Sequence, residues 1–244
     1  MMAVILSVWC AAIAARAFAI YRMWRNGISR RLQALWYLLI VANTQAVVGL
    51  VLLKHVAIYE NFYTVTAWFE LACEVAAPLG VIWVLAENAP QYRKSVTLLL
   101  SMFGTVGVAA CWLVGYWRVP ADWFGVWHFA IYAQRGVEFI MLAMLGGARL
   151  LLPSVSQGAI RSLARRAADI LLLHITLSLL ASELSILGGE RLRNNGIVSV
   201  IILASGAVTG LLCALALTKE SDQVHETDQM PPLDFTGIDS ELLN

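Results

Sequence analysis

The chain contains seven apolar segments of about 20 residues each, and their length constrains the fold more than any other feature. A helix that crosses the hydrocarbon core of a bilayer needs about 20 predominantly apolar residues. Within hydrocarbon every backbone N–H and C=O must be paired, which a helix achieves by itself. The sequence therefore predicts an all-α fold, a seven-transmembrane-helix bundle, with helices at about 2–20, 32–53, 62–86, 95–117, 123–147, 168–188 and 196–217.

Composition agrees with this fold class. Hydrophobic residues make up 60% of the chain and charged residues 14%, whereas soluble domains carry about 25% charged residues. The four cysteines lie in apolar segments without CxxC spacing: Cys10, Cys73, Cys111 and Cys213. We therefore expect small core residues at these positions rather than a disulfide framework or a zinc site.

Basic residues fall mainly on one side of the predicted membrane. Eleven Lys and Arg residues lie on the side that we assign to the cytoplasm, and four lie on the other: Lys54, Arg118, Arg191 and Arg193. Because Lys- and Arg-rich loops stay in the cytoplasm, we predict an external N-terminus and a cytoplasmic C-terminus. The first segment lacks the preceding basic residues of a signal peptide. The expected location is a bacterial inner (plasma) membrane, crossed several times.

Two predicted cytoplasmic stretches carry strong local charge. The first, SQGAIRSLARRAAD at residues 156–169, precedes the sixth segment. We favour a positively charged loop there, with a short helix on anionic headgroups as the alternative. The second is the tail, residues 218–244, which holds seven acidic residues and one basic residue. We expect the tail to be disordered unless a cytoplasmic protein partner binds it.

Two glutamates lie in the middle of the third segment, within TAWFELACEV at residues 66–75. Glu70 and Glu74 are four residues apart, so they share one face of a helix. A charge at the bilayer centre costs at least about 2.5–3.5 kcal/mol, and both side chains therefore need polar partners. Arg135 of the fifth segment lies at the depth of Glu74 when helix rise is counted from the outer face. We expect Arg135 to pair with Glu74 or Glu70.

Other segments place polar residues near the same depth. The candidate site comprises eight residues: Asn43, Gln45, Glu70, Glu74, Gln134, Arg135, Glu138 and Glu183. One arginine cannot neutralise four acids, so at least one carboxyl group should be protonated, hydrated or bound to a cation. Two interpretations stay open. The residues form either a ligand, proton or ion site in a wet cavity, or a fixed ion pair that sets helix register.

No cofactor or catalytic motif is recognisable. A retinal Schiff base needs a lysine in the middle of a helix, whereas Lys54, Lys94 and Lys219 all lie at predicted membrane edges. Haem is not expected, because His128 and His174 lie near opposite faces and cannot share one iron. A phosphate-binding glycine loop, a GxSxG elbow and an HExxH motif are absent from the sequence. We expect no metal site and no enzymatic activity.

Two further features concern helix packing. Gly206-x-x-x-Gly210 in the seventh segment predicts a close contact with a neighbouring helix. Pro78, one turn after Glu74, predicts a kink in the third segment.

The stretch FYTVTAWFE, residues 62–70, places aromatic residues ahead of a Trp-x-Glu motif formed by Trp68 and Glu70. Together with the apolar helix that follows, it resembles the third helix of a loose group of uncharacterised seven-helix bacterial inner-membrane proteins. The resemblance covers one helix. It implies the seven-helix fold and no particular activity.

Three functions fit these features. The first is a non-enzymatic, sensor-like membrane component that binds a ligand or partner at the polar residues. The second is a proton- or cation-coupled carrier of small molecules, although no inverted repeat typical of carriers is visible. The third is an accessory subunit of a larger membrane complex. The expected partners are the lipid bilayer, a cytoplasmic protein for the tail and the other subunits of such a complex, but no nucleic acid.

Overall fold

A computed structural model describes residues 2–52, 55–87, 94, 97–98, 101, 126–151, 159–187 and 197–217. These residues form α-helices and contain no strand, so the prediction of an all-α fold is confirmed for them. The helices are α1 (Met2–Arg25), α2 (Ile28–Arg31), α3 (Gln33–Val51), α4 (Val56–Glu87), α5 (Val126–Leu151), α6 (Ala159–Leu187) and α7 (Ile197–Leu212). A π-helical turn, Cys213–Leu217, continues α7. Most of the fourth predicted segment and the acidic tail lie outside the described residues.

Within the described residues, four stretches are long and apolar enough to cross a membrane: Met2–Arg25, Gln33–Val51, Val65–Ala86 and Val200–Leu217. The third lies within α4, and the fourth combines most of α7 with the π-helical turn. By length and composition, these helices are those of an integral membrane protein. Helices α5 and α6 carry charged residues along their length, so they are less apolar than these four stretches.

Helix α6 begins nine residues earlier than the sequence indicated, at Ala159 instead of residue 168. The stretch 156–169 is therefore neither a loop nor a separate surface helix over most of its length. Its apolar residues explain the difference, because Leu163, Ala164, Ala167 and Ala168 recur at helical spacing and are all buried. The arginines between them occupy the remaining faces of the same helix.

Five helices form a closed ring in the order α1, α3, α4, α6 and α7, with α7 packed back against α1. Helix α5 packs outside this ring against α4 and α6. The first and last helices of the described chain are thus neighbours. Side chains from five different parts of the sequence can meet inside the ring, which is where the candidate site lies.

Contacts at two levels fix the direction of α3 against α1. The Trp9 indole donates to the carbonyl oxygen of Ala46 at 3.0 Å, and the Trp36 indole donates to that of Ile20 at 3.2 Å. From Trp9 to Ile20 the residue numbers rise along α1, while those of their partners on α3 fall from Ala46 to Trp36. The two helices are therefore antiparallel. Helices α5 and α6 are also antiparallel, because Arg149 pairs with Asp169 and Glu138 accepts a hydrogen bond from Ser178.

The buried apolar core lies towards one end of the bundle. It contains residues from the C-terminal halves of α1, α4 and α5, the N-terminal halves of α3 and α6, and the π-helical turn. Representative members that are almost fully buried are Met23, Leu35, Leu85, Leu145, Leu163 and Leu217. Since the C-terminal halves of α4 and α5 share this end, the two helices run in the same direction.

Candidate functional site

Arg16 lies in the interior of α1, with apolar helix on either side of it. Its small neighbours Ala12, Ala15 and Ala19 are buried and let adjacent helices approach. Its Nη1 donates to the backbone carbonyl oxygen of Ala42 on α3 at 3.3 Å. That carbonyl has a second lone pair beyond the one used within the helix, so it can accept the additional bond. Arg16 is therefore tied to α3 far from either end of α1.

Glu70 of α4 interacts electrostatically with Arg16 and lies beside the Gln45 amide group of α3. Helix geometry explains the match in depth. A Cβ atom at Gly80 would lie 3.5 Å from that of Ala34, which fixes one level of contact between α4 and α3. At a rise of 1.5 Å per residue, Glu70 lies about 15 Å from this level and Gln45 about 16 Å. The two side chains therefore meet at the same depth.

Helix α7 closes the site with two glycines. A Cβ atom at Gly206 would lie 2.8 Å from Cζ of Arg16, and one at Gly210 would lie 2.9 Å from the backbone of Ala15. The predicted close approach of the Gly206-x-x-x-Gly210 motif is thus confirmed, with α1 as its partner. Gly210 lets the two backbones touch, and Gly206 leaves room for the guanidinium group.

His174 of α6 completes the ring around Arg16, with which it interacts electrostatically. Its Nδ1 lies 3.1 Å from the Thr209 hydroxyl, which donates to the carbonyl oxygen of Ser205 at 2.8 Å. A hydroxyl group has one proton, and with that proton directed to Ser205 the Thr209 oxygen accepts from His174. In the neutral imidazole the proton then sits on Nδ1, and Nε2 is the acceptor.

We call Arg16, Gln45, Glu70, His174 and Thr209 the polar centre. Each comes from a different helix of the five-membered ring. A guanidinium group, a carboxyl group, an amide, an imidazole and a hydroxyl group are thus gathered from five helices. These groups include both hydrogen-bond donors and acceptors, which is the set that a small polar molecule needs.

A second feature, which we call the acidic cavity, adjoins the polar centre at His174. It is a small cavity of about 10 Å³ lined by Glu74, Glu138, His174 and Ser178 together with apolar residues. This volume corresponds to about one water molecule. The Ser178 hydroxyl donates to Oε1 of Glu138 at 2.8 Å, and Glu138 is buried. His174 belongs to both features and connects them.

The structure brings together four of the eight predicted residues in these two features: Gln45, Glu70, Glu74 and Glu138. Asn43 lies on α3 two residues before Gln45. Arg135 is partly buried on α5, one turn before Glu138. Gln134 and Glu183 lie on α5 and α6, and their side chains are outside the described part of the chain.

Glu70 interacts electrostatically with Arg16, a partner that the sequence did not indicate, while the expected pairing of Arg135 with Glu74 or Glu70 stays a prediction. Arg16 was not among the eight site residues predicted from the sequence. A signal was available, since Arg16 is the one charged residue in the interior of an otherwise apolar first segment. Ser178 and Thr209 carry no comparable signal, because hydroxyl side chains in apolar helices commonly bond to the preceding turn, as Thr44 and Thr176 do.

In the described ranges, no cysteine belongs to the polar centre or lines the acidic cavity. No group of three or more His, Cys, Asp or Glu side chains there is placed to hold a metal ion. Cys10 is exposed, Cys73 is half-buried beside Glu70 and Glu74, and Cys213 is buried. Cys111 falls outside the described residues.

Comparison of the chain with protein-family models, with curated proteins and with solved structures finds no match.

Proposed function

We propose that this chain is a multipass membrane protein with seven transmembrane helices, an external N-terminus and a cytoplasmic C-terminus. The directions of the helices support the number of seven membrane crossings. Since α4 and α5 run the same way, the chain between residues 87 and 126 has to return to the opposite end of the bundle. One more crossing within these residues, where the sequence predicts a helix at 95–117, gives seven. The excess of basic residues at the core end supports the orientation.

We further propose that the protein is a non-enzymatic, sensor-like component that binds a small polar ligand or a partner at the polar centre. The observation that carries this proposal is on α3. Asn43 Oδ1 and Gln45 Nε2 are buried and have no hydrogen-bond partner among the described residues. Gln45 lies beside Glu70 in the polar centre, whereas Asn43, two residues earlier, lies on a different face of α3. A buried polar atom left unpaired costs about 1–3 kcal/mol, so a bound molecule that pairs with Gln45 Nε2 recovers that free energy.

Co-purification tests this proposal. The protein is purified in mild detergent, and the bound small molecules, lipids and proteins are identified by mass spectrometry. We expect a bound molecule or partner that is lost from Gln45→Leu and Glu70→Gln. Thr44→Val is the matched control, because Thr44 adjoins Gln45 on α3 but is exposed and bonds to its own helix. Equal retention by Gln45→Leu and Thr44→Val would remove the polar centre from the binding site.

A second candidate is a proton- or cation-coupled carrier, and the acidic cavity favours it. Glu74 and Glu138 line one cavity with His174, and a single water molecule fits between them. Carboxyl groups and imidazoles in such a chain are the usual components of intramembrane proton relays. The link from His174 to Arg16 would couple proton movement to occupancy of the polar centre.

Proton flux distinguishes the carrier from the sensor. Proteoliposomes that contain a pH-sensitive dye are subjected to a pH gradient, and the rate of internal pH change is recorded. A carrier should acidify or alkalinise the lumen faster than empty liposomes, and His174→Gln should abolish the difference. His55→Gln is the control, because His55 is exposed near the start of α4. No difference between proteoliposomes and empty liposomes would count against the carrier.

A further inference from the structure

A groove of about 340 Å³ opens at the core end of the bundle, between the start of α3 and the second half of α4. Its lining includes Arg30, Arg31, Ala34, Gly80, Trp83 and Val84. This groove is separate from the polar centre, because Glu70 lies about 15 Å further along α4 from Gly80. The volume falls within the range of small-ligand pockets, so the groove can take part of a molecule rather than only water.

The local sequence explains why the groove forms. Gly27 adopts a left-handed conformation with φ of 70°, which turns the chain between α1 and the single turn of α2. The bend at Gly27 places Arg30 and Arg31 next to the start of α3. Ala34 and Gly80 have almost no side chain, so α3 and α4 approach closely at that point. The small residues leave space beside them, and Leu35 and Val81 form a buried apolar floor.

The groove combines positive charge with an apolar interior. Arg30 and Arg31 are both exposed at its mouth, and no acidic residue lines it in the described part of the chain. Trp83, with 41% of its surface exposed, lies along one wall. Tryptophan near the end of a spanning helix typically marks the headgroup level of the bilayer. The arginines and the indole therefore define one end of the groove as interfacial and the other as apolar.

We propose that this groove binds one anionic phospholipid from the surrounding leaflet. The planar guanidinium group matches the oxygen geometry of a phosphate, and basic pockets between membrane helices on the cytoplasmic side bind anionic headgroups. The phosphate group lies against Arg30 and Arg31. The glycerol and the first part of one acyl chain lie along Ala34, Gly80 and Val84. This proposal does not depend on the function assigned to the polar centre.

Native mass spectrometry of the detergent-solubilised protein tests the lipid site. The protein is titrated with phosphatidylglycerol and, separately, with phosphatidylcholine of the same chains. We expect the first added phosphatidylglycerol to bind more tightly than phosphatidylcholine. Replacing both Arg30 and Arg31 with Gln should weaken phosphatidylglycerol binding on the order of tenfold, since each interfacial Arg contributes attraction to anionic lipid. The double variant Arg22→Gln with Arg25→Gln is the matched control at the same end of the bundle.

A second pair of variants tests the apolar part. Gly80→Leu fills the groove without changing charge and should weaken binding, whereas Gly80→Ala places its Cβ in ordinary contact and should not. Equal binding of both lipids by the wild type, or equal loss in the two arginine double variants, would overturn the proposal. Displacement of the lipid by excess inorganic phosphate would also overturn it, because it would show a site for the anion alone. Circular dichroism confirms that each variant is folded.

Discussion

The guanidinium group of Arg16 lies in the space that a side chain at residue 206 would occupy, because Gly206 of α7 packs directly against it. This relationship joins two features that are 190 residues apart in the sequence. The glycine motif of α7 therefore borders the polar centre and also packs α7 against α1. A residue with a side chain at 206 would have to displace Arg16 from Ala42 and Glu70.

Gly210→Ala should destabilise the protein. The added Cβ would meet the backbone of Ala15 and Arg16 at 2.9 Å, and backbone atoms cannot move aside without separating α1 from α7. Overpacking of this kind typically costs about 1–3 kcal/mol. Thermal unfolding in detergent, followed by circular dichroism at the helix band, should show a lower midpoint for the variant.

Gly147→Ala is the control for this substitution. Gly147 is also within a helix, and nothing lies within 4 Å of an added Cβ. Alanine is the better helix former by up to about 1 kcal/mol, so this variant should be neutral or stabilised. A midpoint for Gly210→Ala at or above that of Gly147→Ala would contradict the close contact of α1 and α7.

Arg16→Met should destabilise the protein more than Arg16→Met combined with Glu70→Gln. The single change removes the cation that interacts with Glu70, and a polar group left without its partner in such a site costs about 1–3 kcal/mol. The second change removes the unpaired charge and restores part of the stability. A double-mutant cycle from unfolding midpoints in detergent measures the coupling.

The pair Arg149 and Asp169 provides the comparison for this cycle. Arg149 Nε lies 2.9 Å from Asp169 Oδ1, but the two side chains are 35% and 53% exposed. Exposed pairs of this type contribute about 0–1 kcal/mol. The Arg16–Glu70 cycle should therefore give the larger coupling energy. A coupling no larger than that of the exposed pair would show that Arg16 and Glu70 do not stabilise each other.

The all-α class of the described residues could be predicted from the sequence, because segment length and hydrophobicity are local properties. The tight contact at Gly210 could also be predicted, since small residues at a spacing of four indicate it. The predicted start of α6 was wrong, because the arginines of 156–169 indicated a loop although residues such as Leu163 and Ala167 are buried at helical spacing. A local charge count cannot tell a loop from a helix whose other face packs inward.

The partner of Glu70 could not be derived in the same way. Helical spacing gives the depth and face of a residue, but it does not give the order of the helices around a bundle. Because α7 closes onto α1 and α3 lies between α1 and α4 in the ring, Arg16 and Glu70 interact electrostatically inside it. Helix α5 packs against α4 outside the ring, and the expected pairing of Arg135 with Glu74 or Glu70 stays a prediction.

Thr209→Val should destabilise the protein, whereas Thr209→Ser should be close to wild type. Valine keeps the shape but removes the hydroxyl that accepts from His174 and donates to Ser205. A buried group left without its partner costs about 1–3 kcal/mol, and serine restores the hydroxyl. The readout is the unfolding midpoint in detergent, and equal midpoints for the valine and serine variants would show that the Thr209 hydroxyl contributes nothing to stability.

The proposed seven-helix topology predicts which positions are accessible from each side of the membrane. Single cysteines are introduced at Asn26, His55 and Lys94 in a chain whose four native cysteines are replaced by alanine. In spheroplasts of the expression host, a membrane-impermeant maleimide should label only the cysteine at position 55, because residues 26 and 94 lie on the predicted cytoplasmic side. After lysis all three should react.

Labelling of position 94 in intact spheroplasts would place α4 in the opposite direction and remove the argument for a crossing between residues 87 and 126. The cysteine at position 26 serves as the internal control, because it follows α1 directly and reports the orientation of the first helix alone.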